Sequence, residues 1–552
     1  MPTQSRYPRR TALIFAVVVL LGASLRLDQF IDQILIDDEW HAVHQLIDSN
    51  PFRILTSFGH ADYSIPLTLL YWFEADWFGL SELAMRWPMM LGGLLSLILF
   101  PAYVWRRGWS REAMVFALLL AISPLLIVYS RTARPYALTL LLGYTSLFAF
   151  AAYCRATGRR WACGLLYGFT ATAATWAHLL AGPFVAMPCL LEGVRALATH
   201  SGDRWQRLRR LLAVGIPTAI AILILTLPPL LGDPDALAGK AGIALPDRET
   251  MTGVWFAWFG TGSSGAVLVC LVLAALGWRR LWRELPVVRT ACAGLLLTLC
   301  LVLLSRPAWV NHSLTLARYL LPIVPLLLLS TAFGAVRIAD TMAAKGGRFS
   351  RFLASLALAS PVLVLAANSP LAGMLRYPNT NTLHSAAQFD FRPGHNLMQQ
   401  HLDTFRISPL WARLRAYPAG TLRIVAAPWF FESYDWAAPR WEAVSGQRVL
   451  PGYLTGLCSE WRHGELPRSK RFRFRNAVYL TDIRNEGAVD VLVFQKPFHF
   501  PRGVLTNYPQ EEIAGACLGR LMARLGAPDY EDGTISAFYL SPVSRAMSNA
   551  QR

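Results

Sequence analysis

RWPMMLGGLLSLILFPAYVWRRGWSREAMVFALLLAISPLLIVYSRTARPY, residues 86–136, decides the class of fold. Two apolar runs, 86–105 and 113–130, are separated by a short break carrying Arg106, Arg107 and Arg111. Each run approaches the ~20 residues that a helix needs to cross a bilayer. Backbone amides in a bilayer have no water to bind, so such runs close their hydrogen bonds internally as helices. The pattern recurs along the chain. Apolar stretches at 11–27, 86–105, 113–130, 136–153, 161–177, 178–195, 211–231, 264–281, 289–305, 319–337 and 352–368 predict a polytopic α-helical membrane protein with about eleven transmembrane helices. The first stretch follows Arg6, Arg9 and Arg10 and lacks a clean small-residue cleavage site, so it reads as a retained signal anchor.

Composition points the same way. The chain has 552 residues, 54% hydrophobic and only 16% charged, with a mean hydropathy of +0.36. A soluble chain carries about 25% charge. These values exclude a disordered chain, a fibrous protein and an ordinary soluble enzyme. The net charge of +18 suggests a nucleic-acid partner at first sight, but its distribution argues for membrane topology and no nucleic acid. With the N-terminus cytoplasmic, the inside loops hold Arg106, Arg107 and Arg111; Arg155, Arg159 and Arg160; Arg195, Arg204, Arg207, Arg209 and Arg210; Arg279, Arg280, Arg283 and Arg289; and Arg337, Lys345, Arg348 and Arg351. The first outer loop, 28–85, is the reverse: ten acids stand against Arg53 alone. The reading is a multi-pass inner-membrane protein, N-terminus inside and C-terminus outside.

Residues 1–368 form the membrane domain in this reading, and 369–552 a soluble extracytoplasmic α/β domain. TLRIVAAPWFF (421–431), VDVLVFQK (489–496) and TISAFYLSP (534–542) read as strands by their β-branched and aromatic content. EEIAGACLGRLMARLG (511–526) reads as a helix. The loop 232–262 is long enough to cover part of a site. Eight cysteines are too few for a disulfide framework; six lie in or beside apolar runs, and only Cys458 and Cys517 fall in the polar C-terminal region.

Chemistry concentrates on the outer face. IDDEWHAVHQLI (36–47) sets Asp37, Asp38 and Glu39 before His41 and His44. On an amphipathic interfacial helix Asp37 and His41, four apart, share a face. A carboxylate there can act as a general base or hold a divalent cation beside a phosphate; a solvated loop obeying the charge rule is the plain alternative. SRTARPYALTLLLGY (130–144) places Arg131 and Arg134 around a short turn, with Pro135 and Tyr136 opening the next helix. Guanidiniums at headgroup depth suit a phosphate, although arginines also snorkel as helix anchors. Three weaker signals share the face: His60 and Asp62 in GHADYSIPLTLLYW (59–72), His178 in TWAHLLAGP (175–183), and His312, Arg318 and Tyr319 in NHSLTLARYLLPIVPLLLL (311–329).

DDEWH, HADYSIPLTLLYW, SRTARPYAL, TWAHLLAGP and ARYLLPIVPLLLL, in this order, resemble membrane glycosyltransferases of the GT-C fold, in the branch of the protein O-mannosyltransferases and aminoarabinose lipid A transferases. The resemblance covers roughly residues 11–368. It implies a sugar donor on a polyprenyl phosphate, an acceptor drawn from lipid, glycan or protein, and inversion at the anomeric carbon. Asp38 and Glu39 match the family's acid pair best; Asp37 adds a third acid. Ala61 and Asp62 stand where the family's HPPLYY-like block has its first prolines. In such a transfer Arg131, Arg134 and Arg318 are read as the donor-phosphate ligands, charge-assisted donors that stabilise the phosphate as it leaves. No cofactor is demanded, and a divalent metal has room without a dedicated spacing. The rival classes are a transporter or flippase for lipid-linked sugars, and a non-enzymatic envelope assembly protein.

Overall fold

The computed structural model describes residues 9–33, 35, 37–59, 64–155, 160–198, 204–371, 391–392, 395, 407–427, 438–451, 453–455, 471–475, 477–479, 489–496 and 510–549. The first two thirds are helical: α1 Arg9–Leu27, α2 Trp40–Asp48, α3 Pro51–Thr56, α4 Ile65–Trp77, α5 Glu82–Trp105, α6 Ser110–Ile122, α7 Pro124–Ser130, α8 Tyr136–Arg155 and α9 Arg160–Ala177. There follow α10 Gly182–Ala198, α11 Arg204–Gly232, α12 Pro234–Ala238, α13 Arg248–Phe259, α14 Ser264–Glu284, α15 Pro286–Ser305, α16 Ser313–Tyr319, α17 Ile323–Ala343 and α18 Gly347–Ala367. Among the described residues eight helices are long and apolar enough to cross a membrane, or nine if the bent pair α6–α7 is one span. The protein is thus a multi-pass helical membrane protein. Thr11–Leu27 is a shorter apolar helix, and α9, covering the stretch 161–177, is not among the eight.

Two of the apolar stretches are subdivided, in both cases at proline. The stretch 113–130 bends by 61° between α6 and α7, where Pro124 starts the second helix and Ser123 is extended. Proline has no amide to continue the first helix's ladder. The stretch predicted from 319 begins its long helix only at Ile323, because Pro322 restarts the chain after α16. Arg318 and Tyr319 therefore ride a separate short helix. Elsewhere small residues set the packing distance: an added Cβ at Gly277 of α14 would collide with the backbone of α17, so the two helices approach closely.

The C-terminal region carries β1 Arg423–Ala427, β2 Arg448–Pro451, β3 Tyr453–Thr455, β4 Ala477–Tyr479, β5 Val491–Gln495, β6 Tyr530–Glu531 and β7 Ile535–Tyr539. Its helices are α19 Pro409–Arg413, α20 Ala438–Ser445, α21 Gln510–Leu525 and α22 Pro542–Asn549. One sheet has the order β2-β1-β5-β7-β6, with β1 parallel to β2 and β5, and β7 antiparallel to β5 and β6. The three strands read from sequence are its adjacent centre, β1, β5 and β7. Every residue of β5 and β7 is buried, because apolar clusters cover both faces of the sheet; that is why these strands read as continuous rather than alternating apolar runs. Cys517 is disulfide-bonded, whereas Cys154, Cys163, Cys189, Cys270, Cys292 and Cys300 are free.

One piece of the C-terminal region belongs to the helical core. In RFRFR (471–475) the arginines are exposed and the phenylalanines buried, the period of an extended strand. Leu80 donates its amide to the Arg471 carbonyl (2.8 Å), and the Arg473 amide returns to the Leu80 carbonyl (2.8 Å). The Arg475 amide donates to Glu82 Oε1 (2.6 Å). Phe474 meets Trp40 edge to face at 5.5 Å between ring centroids. The strap therefore closes over the connection between α4 and α5 and over the start of α2.

Candidate active site

The acids of the first loop precede their helix rather than ride on it. Asp37–Glu39 form a 3-10 turn that runs directly into α2 at Trp40. Buried Leu35, Trp40, Val43 and Leu46 pin the segment into the core. The side chain of Asp37 lies outside the described residues, as do His60 and Asp62.

Glu39 and Asp38 face different partners. Glu39 is fully buried and takes a bidentate pair from the equally buried Arg86, Nε to Oε1 at 2.8 Å and Nη2 to Oε2 at 2.5 Å. The Ala133 amide donates to Glu39 Oε1 at 2.7 Å, tying the 131–135 turn to the acid turn. Arg86 also donates to the Gln33 carbonyl, and the Gln33 side chain accepts from Arg131 Nε at 3.0 Å. Arg131 thus stands with Gln33 on the Glu39 side. Burial, then the like charge of Arg86, pulls Arg131 below its ordinary range, to about 10, which leaves it cationic at neutral pH.

Asp38 keeps a 17% exposed side chain and presents one oxygen, Oδ2, to two cations. Arg318 Nη1 lies 2.5 Å from it and Arg134 Nε 3.9 Å. Burial works against the charge on Arg318, and Asp38 with the surrounding tyrosines outweighs it, holding the guanidinium above its ordinary value. Arg318 stacks over Tyr136 at 5.6 Å and Tyr319 at 5.7 Å. The His178 ring lies 5.3 Å from Tyr136 and 6.0 Å from Tyr319. Arg318 Nε, Arg131 Nη1 and the Tyr136 hydroxyl are buried without hydrogen-bond partners. Tyr136, His178, Arg318 and Tyr319 line a recess whose remaining wall includes Phe184 and Leu295.

Of the sequence-predicted residues, Tyr136, His178, Arg318 and Tyr319 line this recess, Asp38 adjoins it through Arg318, and Arg134 stands beside Asp38. Glu39 and Arg131 lie beside it in the buried pair, and His41 follows on α2, partly buried. Sequence reading missed Arg86 and Gln33. Arg86 had a signal: a cation opening an otherwise apolar run requires a buried partner. Among the described residues no group of three or more His, Cys, Asp or Glu is placed to hold a metal ion.

The fold and site define a multi-pass membrane protein with a cation-rich cleft where several helix ends meet. No protein-family model matches the chain, and no characterised protein sequence matches it. Among solved structures it is similar to ArnT from Cupriavidus metallidurans in the apo state, at a TM-score of 0.46 and 14% identity, covering 97% of this chain and 98% of that one. It is also similar to the same protein bound to undecaprenyl phosphate, at a TM-score of 0.42 and 13% identity with the same coverage. A third is the archaeal oligosaccharyltransferase AglB from Archaeoglobus fulgidus, in complex with an inhibitory peptide and a dolichol-phosphate, at 0.38 and 12%, covering 88% of this chain and 69% of that one. Superposition this loose decides nothing about chemistry, which rests on the residues.

Proposed function

We propose that this chain is a membrane glycosyltransferase that moves a sugar from a polyprenyl-phosphate carrier to a hydroxyl of a lipid, glycan or protein acceptor at the periplasmic face. One observation carries the reading: a single oxygen of Asp38 is shared by Arg134 and by Arg318, and Arg318 lines a recess walled by aromatic and apolar side chains. Among the described residues two cations face one anion there, a balance that suits a phosphate whose carrier chain needs an apolar path. Alongside them, the partnerless Arg318 Nε and Tyr136 hydroxyl are donors awaiting an acceptor.

The chemistry follows from that sharing. When the donor phosphate enters, the arginines turn from Asp38 Oδ2 to the phosphate oxygens. Asp38, released, accepts the proton of the acceptor hydroxyl as general base. The acceptor oxygen forms its bond to the anomeric carbon while the bond from that carbon to the phosphate oxygen breaks. The leaving polyprenyl phosphate takes the electron pair, and Arg134 and Arg318 stabilise its charge. In-line attack inverts the anomeric centre. Glu39, enclosed by Arg86, holds the acid turn and the 131–135 turn together.

Topology supports the outer location. Arginines crowd alternate loops while the first loop is acidic. The disulfide at Cys517 is of a kind that persists in oxidising compartments, which supports reading 369–552 as an extracytoplasmic domain. The test is incubation of the purified protein with a polyprenyl-phosphate sugar pool and an envelope extract. Acceptor-dependent release of undecaprenyl phosphate is expected. A protein that neither releases nor binds undecaprenyl phosphate overturns the reading.

A further inference from the structure

Arg26 is a buried cation that pairs with no carboxylate among the described residues. It lies one residue from the end of α1 and is 1% exposed. Its Nη1 donates to the carbonyls of Gly22 (2.9 Å) and Ala121 (3.2 Å), its Nη2 to that of Leu120 (3.1 Å), and its Nε to Ser130 Oγ (3.3 Å). A buried charge without a counter-ion is strongly destabilising, so something must replace the acid.

The break between α6 and α7 supplies it. Leu120 and Ala121 stand in the last turn of α6. Pro124 has no amide to offer Leu120, and α7 departs at 61°. These carbonyls are orphans of the broken ladder, and a helix C-terminus carries partial negative charge that favours a cation. Arg26 caps that end. Its Nε reaches across to Ser130, the last residue of α7, whose hydroxyl donates to the Leu126 carbonyl (2.6 Å). Gly93 of α5 makes the room, since a Cβ there would strike the Ser130 side chain. Arg131 follows directly, so one guanidinium joins α1, the end of α6 and the start of the 131–134 turn.

We propose that Arg26 is a positioning residue: it holds the α6–α7 break at its angle and thereby aims the 131–134 turn at the phosphate. The first clause stands on the geometry alone; the second rests on the proposed function.

The experiment uses the full-length protein with two readouts, backbone hydrogen exchange across 125–134 without ligand and the Kd for undecaprenyl phosphate. Arg26→Gln is expected to speed exchange in that segment and raise Kd, each about tenfold, the order set by loss of one charge-assisted hydrogen bond. Exchange in α14 and α17 stays at the wild-type rate. Arg26→Lys keeps the charge with fewer donors and falls between. Ser130→Ala leaves the cap on α6 intact and removes the Arg26 link together with the hydroxyl's own bond to the Leu126 carbonyl, so it shifts both readouts in the same direction even if Arg26→Gln fails to fold. Wild-type exchange across 125–134 in Arg26→Gln or Ser130→Ala overturns the positioning role. Faster exchange with unchanged Kd overturns its connection to the phosphate. If the wild-type protein does not bind undecaprenyl phosphate, the proposed function falls while the exchange arm still judges Arg26.

Discussion

Asp38 and Glu39 are adjacent in sequence and opposite in setting. Glu39 has no exposed surface and both oxygens are occupied by Arg86, with the Ala133 amide added. Asp38 is partly open, and one of its oxygens is divided between two arginines, of which Arg318 lines a recess. A carboxylate saturated in a buried fork cannot leave its partner cheaply, whereas one that shares partners at a cleft mouth can exchange them. Two acids one residue apart can thus divide structural and chemical work, because a 3-10 turn sends their side chains in different directions.

The sharpest way to break this contrast is Glu39→Gln. It removes the carboxylate charge that the buried Arg86 pairs with, and should cost about 3–5 kcal/mol of stability, read as a fall in the thermal unfolding midpoint and in recovered protein. A stable but inactive Glu39→Gln enzyme would exchange the roles of the two acids. Asp38→Asn should do the converse, leaving unfolding near wild type and lowering transfer by about a hundredfold or more. Turnover above about a tenth of wild type removes Asp38 as the base.

The arginines sharpen the comparison. Arg318→Lys and Arg134→Lys keep the charge and lose the fork; each should weaken donor use by about 1.5–3 kcal/mol, roughly ten- to hundredfold in kcat/KM. Arg131→Lys, whose side chain bonds neutral Gln33, should cost about 1 kcal/mol, roughly fivefold. Equal losses in all three would return Arg131 to the phosphate. Phe474→Leu tests whether the strap steadies the acid turn: losing the edge-to-face contact with Trp40 should cost about 0.5–1.5 kcal/mol, seen as a lower kcat at unchanged donor KM.

The smallest effect lies in the C-terminal sheet. Arg423 binds Asp490 through Nε (3.0 Å) and Nη2 (3.1 Å) and holds its carboxyl at about 2, below the usual 3.8. A depressed folded value means the contribution to stability is complete above the unfolded value and disappears as pH falls from about 3.8 toward 2. Pepsin cleavage within β5 and β7 should rise across that window, and Asp490→Asn should flatten the rise.

What the sequence determined by itself was whatever depends on local chain physics. Runs of about 20 apolar residues must become helices in lipid. Arginine-rich breaks label one side of the membrane, and apolar β-branched runs at 421–431, 489–496 and 534–542 locate the central strands of the sheet. The residue types of the site were also legible, since Asp38, Arg134, Tyr136, His178, Arg318 and Tyr319 stood out in their own segments. What only the tertiary structure decided was partnership. Arg86 reaches Glu39 across 47 positions and Arg318 reaches Asp38 across 280, and no periodicity encodes such distances. The same holds for Arg26, which looks like the end of an apolar helix until a broken neighbour presents it with unpaired carbonyls. A charge in a low-dielectric interior is defined by what surrounds it, and those surroundings come from other helices.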